Sequence, residues 1–323
     1  MKKTYDPDHY KVVFCSSAPI GVPFLQWLEQ DKRFEVVGVV TQCDKPAGRW
    51  MDMCECIIKT EAKKSHVSRL VSQVWDFIQS PDRLNPDKSD EWRAFAEWLQ
   101  KKNPDFLVVI AYGKIIPQSI LDIPTIAPIN VHGSLLPEYR GASPIQSCLL
   151  HDDKETWVTI MKMDAGMDTG DMIDKLGFKI GFDWTSKNII ERMQQYGPKF
   201  LNDTLRKFGK KMLGAVPQNE NKATYCSKIE KESWHINPRE DSLHSIYCKY
   251  RAYAQWPKVY FTNNGKRVII EEMQLEEGLY THHKNTPLIH GNNTINEAVE
   301  HLMLKPEGKK PMSRKEFANG YLK

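Results

Sequence analysis

The chain has 323 residues, is 41% hydrophobic and 27% charged, and carries a formal net charge of +4. That length accommodates two domains, and the composition is globular rather than disordered or fibrous. No apolar run is long enough for a transmembrane helix, and the N-terminal MKKTYDPDHYK has no apolar stretch of the signal-peptide kind, so a cytoplasmic protein with no membrane partner is expected.

The first two hundred residues alternate strand-like and helix-like signals. Tyr10–Cys15 reads as a short buried strand, Pro23–Glu29 as a helix, and Phe34–Thr41, rich in β-branched residues, as a second strand. Asp90–Lys102 is amphipathic with a helical period, and Phe106–Ala111 is apolar throughout, as a strand covered on both faces must be. Ala127–Val131, Thr156–Met163 and Asp174–Ile180 follow as strand candidates, with a helix starting near Ser143-Pro144 and a long one over Ser186–Gly209. Alternating elements of this kind predict an α/β domain built on a mostly parallel sheet with helices on both faces. No GxGxxG follows the first strand and no GxxxxGK[ST] occurs, which argues against NAD and ATP.

Residues 214–224, GAVPQNENKAT, read as a linker. Beyond it, Asn263-Asn264-Gly265 between Val259–Thr262 and Lys266–Glu271 predicts a hairpin, and with it a small β-rich domain. Residues 206–323 hold 20 Lys and Arg against 13 Asp and Glu. That surplus suits a polyanion-binding surface; on charge alone it equally suits a solvated basic one. Seven cysteines, at 15, 43, 54, 56, 148, 226 and 248, are scattered and odd in number, which predicts free thiols. Cys43, Cys54 and Cys56 lack a CxxC pair or a nearby histidine, so no metal is expected.

The most unusual stretch is PINVHGSLLPEYRGASPIQ, residues 128–146, which places an amide, an imidazole, a hydroxyl and a guanidinium within eleven residues at the end of a strand. Ligands of open α/β sheets bind at the carboxyl ends of strands, and the i, i+2 spacing of Asn130 and His132 points both side chains to one side. The Gly-rich acidic loop from Asp164 to Asp171 can bring Asp168 to the same edge. An amide donor, an imidazole and a carboxylate make a kit for acyl transfer: two donors for a developing oxyanion and a group to move protons. A serine hydrolase using Ser134 is a weaker reading, since HGSLLP is not a GxSxG elbow. A plainer alternative has His132 and Asp168 only capping their loops.

NVHGSLLPEYRGASPIQ together with VTIMKMDAGMDTGDMI, TQCDKPAGR, VVIAYGKIIPQ, ATYCSKI and PEGKKPMSRKEFANG resembles the methionyl-tRNA formyltransferases over most of the chain. The resemblance implies a Rossmann-like formyltransferase domain over residues 1–213, a linker over 214–226, and an OB-like, tRNA-binding β-barrel domain over 227–323. It implies formyl transfer from 10-formyltetrahydrofolate to the amine of initiator methionyl-tRNA by a monomer, without a metal. The family's catalytic residues fall on Asn130, His132 and Asp168, its folate-contacting segment on Ser134, Leu135, Leu136 and Pro137, and a tRNA-contacting arginine on Arg49. The continuation WMDMCECII departs from the family's basic, proline-containing loop, with Met51, Asp52 and Glu55 among the replacements. A formyltransferase acting on an amino sugar nucleotide or other small amine is the alternative enzyme, and an idle RNA-binding protein on the same scaffold the alternative outside catalysis.

Overall fold

In the computed structural model, residues 9–42, 44–47, 52–64, 75–77, 90–291 and 294–322 are described. Strands β1 (Tyr10–Ser16), β2 (Phe34–Gln42), β3 (Trp75–Phe77), β4 (Phe106–Ile110), β5 (Ala127–His132), β6 (Glu155–Lys162) and β7 (Met172–Lys179) form one sheet, ordered β7-β6-β5-β4-β1-β2-β3. β1 runs parallel to both β2 and β4, β2 is parallel to β3, and β4 is parallel to β5. β6 runs antiparallel to β5, with Asn130 opposite Met161 and His132 opposite Thr159.

The apolar runs form strands because helices cover both of their faces. Helix α1 (Val22–Gln30) buries Phe24, Leu25 and Leu28, and helix α2 spans Ile57–Lys64. Helix α3 (Asp90–Lys102) brings Phe95 and Leu99, one turn apart, into a cluster with Val13, Cys15, Val37, Val40, Leu107 and Val109. Its Trp98 lies so close over Gly38 that an added Cβ would stand 2.5 Å from the indole. Next in sequence, helix α4 (Pro144–Leu150) precedes the long helix α5 (Ser186–Gly209). Gly197 of α5 lets the Phe24 ring of α1 approach, and Asn202 donates to the Trp27 carbonyl at 3.2 Å.

Contacts divide the chain into two compact units that are not consecutive in sequence. The first holds Met1–Arg140, Trp157–Gly177 and Arg192–Tyr225; the second gathers Gly141–Thr156 and Phe178–Glu191 with Cys226–Lys323. In the second unit, helix α6 (Leu243–Tyr253) precedes β8 (Tyr260–Asn263) and β9 (Lys266–Leu275), then helix α7 (Glu277–His283), β10 (Val299–Pro306), β11 (Met312–Ser313) and helix α8 (Arg314–Tyr321). The four strands form an antiparallel sheet in the order β8-β9-β10-β11. The expected hairpin is its first step: Asn264 and Gly265 take φ of 49° and 74°, the left-handed pair that a two-residue turn requires.

Within the second unit, one buried arginine ties distant segments together. Arg251 of α6, 4% exposed at its side chain, donates to Asp152 at 2.6 Å, to the Phe182 carbonyl at 3.3 Å and to Cys248 Sγ at 3.6 Å. These bonds explain why the segments around residues 152 and 182 cluster with a helix far along the chain. Among the described residues, no helix is long and apolar enough to cross a membrane.

Candidate active site

Asn130 and His132 stand two residues apart at the carboxyl end of β5, so the alternation of the strand directs both to one side. The loop from Asp164 to Asp171, between β6 and β7, brings Asp168 to them. Its Oδ1 accepts from Asn130 Nδ2 at 3.1 Å, and its Oδ2 lies 3.6 Å from His132 Nδ1. The three residues expected to do the chemistry therefore meet around one carboxylate. His132 is 5% exposed, and its Nε2 lies 3.0 Å from the Tyr139 carbonyl oxygen. A carbonyl only accepts, so Nε2 carries a hydrogen in either protonation state. The proton that can come and go is then the one on Nδ1, the nitrogen facing Asp168.

Short-range bonds shape the acidic loop. Asp164 Oδ1 accepts from Gly166 N at 3.0 Å and from the Thr169 hydroxyl at 2.7 Å, closing a turn. Gly170 passes the Lys162 carbonyl where a Cβ would stand 1.9 Å from the oxygen, so no larger residue fits. Asp168 itself has φ of 55°, a left-handed conformation that Asp tolerates better than most residues.

Ser134 and Thr159 brace the backbone of the turn that follows His132. Ser134, 2% exposed, donates its hydroxyl to the Glu138 carbonyl at 2.6 Å. That spends the proton a nucleophilic serine would hand to a base, and the hydrolase reading loses its reagent. Thr159 closes the same turn, donating to the Ser134 carbonyl at 2.6 Å and accepting from Leu136 N at 3.3 Å. Leu136 and Pro137 are buried, while Leu135 is half-buried.

Arg140 is not directed at a ligand. It is 1% exposed, and all five of its donors are bonded. Nε and Nη2 donate to Gln218 Oε1 at 3.0 and 2.8 Å. Nη2 and Nη1 also donate to the two oxygens of Glu220 at 2.7 and 2.9 Å, and Nη1 donates to the Tyr225 hydroxyl at 3.3 Å. A guanidinium removed from water survives only with such complete pairing. The bonds to Glu220 push Arg140 further above its usual range and hold the Glu220 carboxyl below its own. Gln218 and Glu220 lie in the segment expected to be a linker, whose Val216 also bridges to Met172. Nothing in a polar Gln-x-Glu marks it as a partner for a buried arginine, because the burial of Arg140 cannot be read from its neighbours.

Arg49 lies outside the described residues, as does Cys43. The described cysteines are free; burial pushes the Cys148 thiol up to about 11, which leaves it inert as a nucleophile. Among the described residues, no group of three or more His, Cys, Asp and Glu is placed to hold a metal ion.

A mostly parallel sheet followed by an antiparallel C-terminal sheet is a fold this chain shares with the formyl transferases. The chain matches that family over residues 11–205 and the family's C-terminal domain over residues 228–322. It is 35% identical over 317 residues to the methionyl-tRNA formyltransferase of Caldicellulosiruptor saccharolyticus, covering 96% of each chain. The chain belongs to the methionyl-tRNA formyltransferase family. Among solved structures, the methionyl-tRNA formyltransferase from Clostridium thermocellum superposes with a TM-score of 0.56 at 17% identity, over 83% of this chain and 95% of that one. HypX from Aquifex aeolicus in complex with tetrahydrofolic acid superposes with a TM-score of 0.60 at 15% identity, over 98% of this chain; the chain spans about half of HypX, 48%.

Proposed function

We propose that the protein transfers the formyl group of 10-formyltetrahydrofolate to the α-amine of methionyl-initiator tRNA. The observation that carries this reading is the meeting of Asn130, His132 and Asp168 within a chain whose curated relative is 35% identical over nearly its full length. Attack of the amine on the formyl carbon puts negative charge on the formyl oxygen. Asn130 retains one amide hydrogen beyond the one given to Asp168, and His132 protonated at Nδ1 supplies a second donor. The Asp168 carboxylate holds the imidazolium and takes up the proton released by the amine, directly or through water. As the new carbon–nitrogen bond forms, the bond to the folate nitrogen breaks, and that nitrogen recovers a proton.

Ser134, Leu135, Leu136 and Pro137 form the donor-side turn in this reading, with Leu135 offering apolar surface to a flat, largely apolar ligand. Arg49 is assigned to the acceptor tRNA, and residues 227–323 to the tRNA-binding part. The test uses purified protein, 10-formyltetrahydrofolate, and methionyl-tRNA of the initiator and elongator kinds. Formylation of the initiator in preference to the elongator is expected. Transfer to an amino sugar nucleotide, with none to either tRNA, would replace the reading by the small-amine alternative.

A further inference from the structure

We infer that Gln218 is a positioning residue that holds Asp168 in its working geometry, with Arg140 fixing the orientation of the Gln218 amide. The inference rests on the proposed role of Asp168 and deepens it. Gln218 Nε2 donates to two carbonyls of one loop, Asp168 O at 2.8 Å and Gly170 O at 2.7 Å. Its Oε1 accepts from Arg140 Nε and Nη2. Arginine has donors only, so the atom facing it must be the oxygen, and the amide cannot turn over without opposing donor to donor and acceptor to acceptor. The two amide hydrogens are thereby aimed at the carbonyls on either side of Thr169.

This aim matters because Asp168 is left-handed in its backbone and its Oδ2 sits 3.6 Å from His132 Nδ1. Released from both bonds, residues 168 and 170 can relax, and displacement of a catalytic group by about 1 Å can cost roughly a hundredfold in rate. Gln218 is 9% exposed and touches neither His132 nor Asn130 through any of these four bonds, so its effect passes through Asp168.

Two variants separate the parts. Gln218→Met keeps length and volume but has no donor and only a weak sulfur acceptor; Gln218→Glu keeps an acceptor for Arg140 and loses the amide donors. Both should lower kcat by about 10- to 100-fold, with KM for the formyl donor nearly unchanged. In an Asp168→Asn background either change should cost no more than about threefold further, because a positioning residue has nothing left to position. A merely structural residue would cost the same factor in both backgrounds, and that additivity would overturn the inference, as would wild-type turnover in Gln218→Met. Should wild-type protein formylate no acceptor, the proposed function fails separately. The tether is then read from amide hydrogen exchange across residues 164–171, which should quicken in Gln218→Met; unchanged exchange would overturn it. If Gln218→Met does not fold, Gln218→Glu decides. Failure of both to fold would also overturn the inference, since the amide would then be holding the unit together rather than the loop.

Discussion

Asp168 divides its carboxylate between an amide at 3.1 Å and an imidazole at 3.6 Å, and the division decides what each substitution should do. Asp168→Asn keeps an oxygen for Asn130 but removes the carboxylate charge that faces His132 Nδ1. His132→Ala removes the proposed second oxyanion donor and the proposed proton carrier together. Each should lower formyl transfer by about two to four orders of magnitude while donor binding persists, as read by single-turnover rates and donor titration. Near wild-type turnover in either variant would remove that residue from the chemistry. This part of the site was legible beforehand because a strand alternates with period two and an apolar run leads straight into a glycine-rich loop. Arg140 was legible as unusual but not as what it is. Its five bonds run to residues about eighty positions away, and long-range pairing leaves no trace in local spacing.

The elements themselves followed from burial. Strands with both faces covered must be apolar, as all of β4 and residues Val12 to Cys15 of β1 are; α3 and α5 begin and end where their patterns place them. The direction of β6 was not readable, since an apolar pattern is the same in either sense and only pairing with β5 sets it. Nor was the interleaving of the two units, which depends on α6 reaching residues 152 and 182 through a buried arginine. That pairing has a pH consequence. Burial raises the Asp152 carboxyl, but the hydrogen bonds from Lys154 and Arg251 outweigh it, and the net shift is downward. A carboxylate held low in the folded chain contributes stability that is complete above its unfolded value near about 4 and is lost as pH falls through the lower folded value. Asp152→Asn should therefore flatten the loss of thermal stability on acidification below about pH 4. At neutral pH it should cost about 3 kcal/mol in denaturant melts, because Arg251 stays buried beside a neutral amide. An unchanged acid profile would assign that loss to other carboxylates.

Across the whole molecule the charge is unevenly spread: the surplus of seven cations over residues 206–323 outweighs a net deficit in the rest. Charge count alone could not separate a polyanion-binding face from a solvated one, but the placement of individual cations narrows the choice. Lys305 lies 3.8 Å from Glu271, and Arg314 donates to the Val299 carbonyl, so both already have protein partners. Lys309 and Lys310 are exposed in the turn between β10 and β11, where Gly308 takes φ of 73°. Each phosphate contact releases counterions and steepens the fall of affinity with salt by roughly 0.7 to 0.9 in the logarithmic slope. If both lysines meet phosphates, replacing them with glutamine should flatten the slope for initiator tRNA by about 1.4 to 1.8 and weaken binding most at low salt. Donor binding should not change, because the proposed donor-side turn, residues 134–137, belongs to the other unit. Binding isotherms at several salt concentrations would decide it; an unaltered slope would move the tRNA contacts away from this turn.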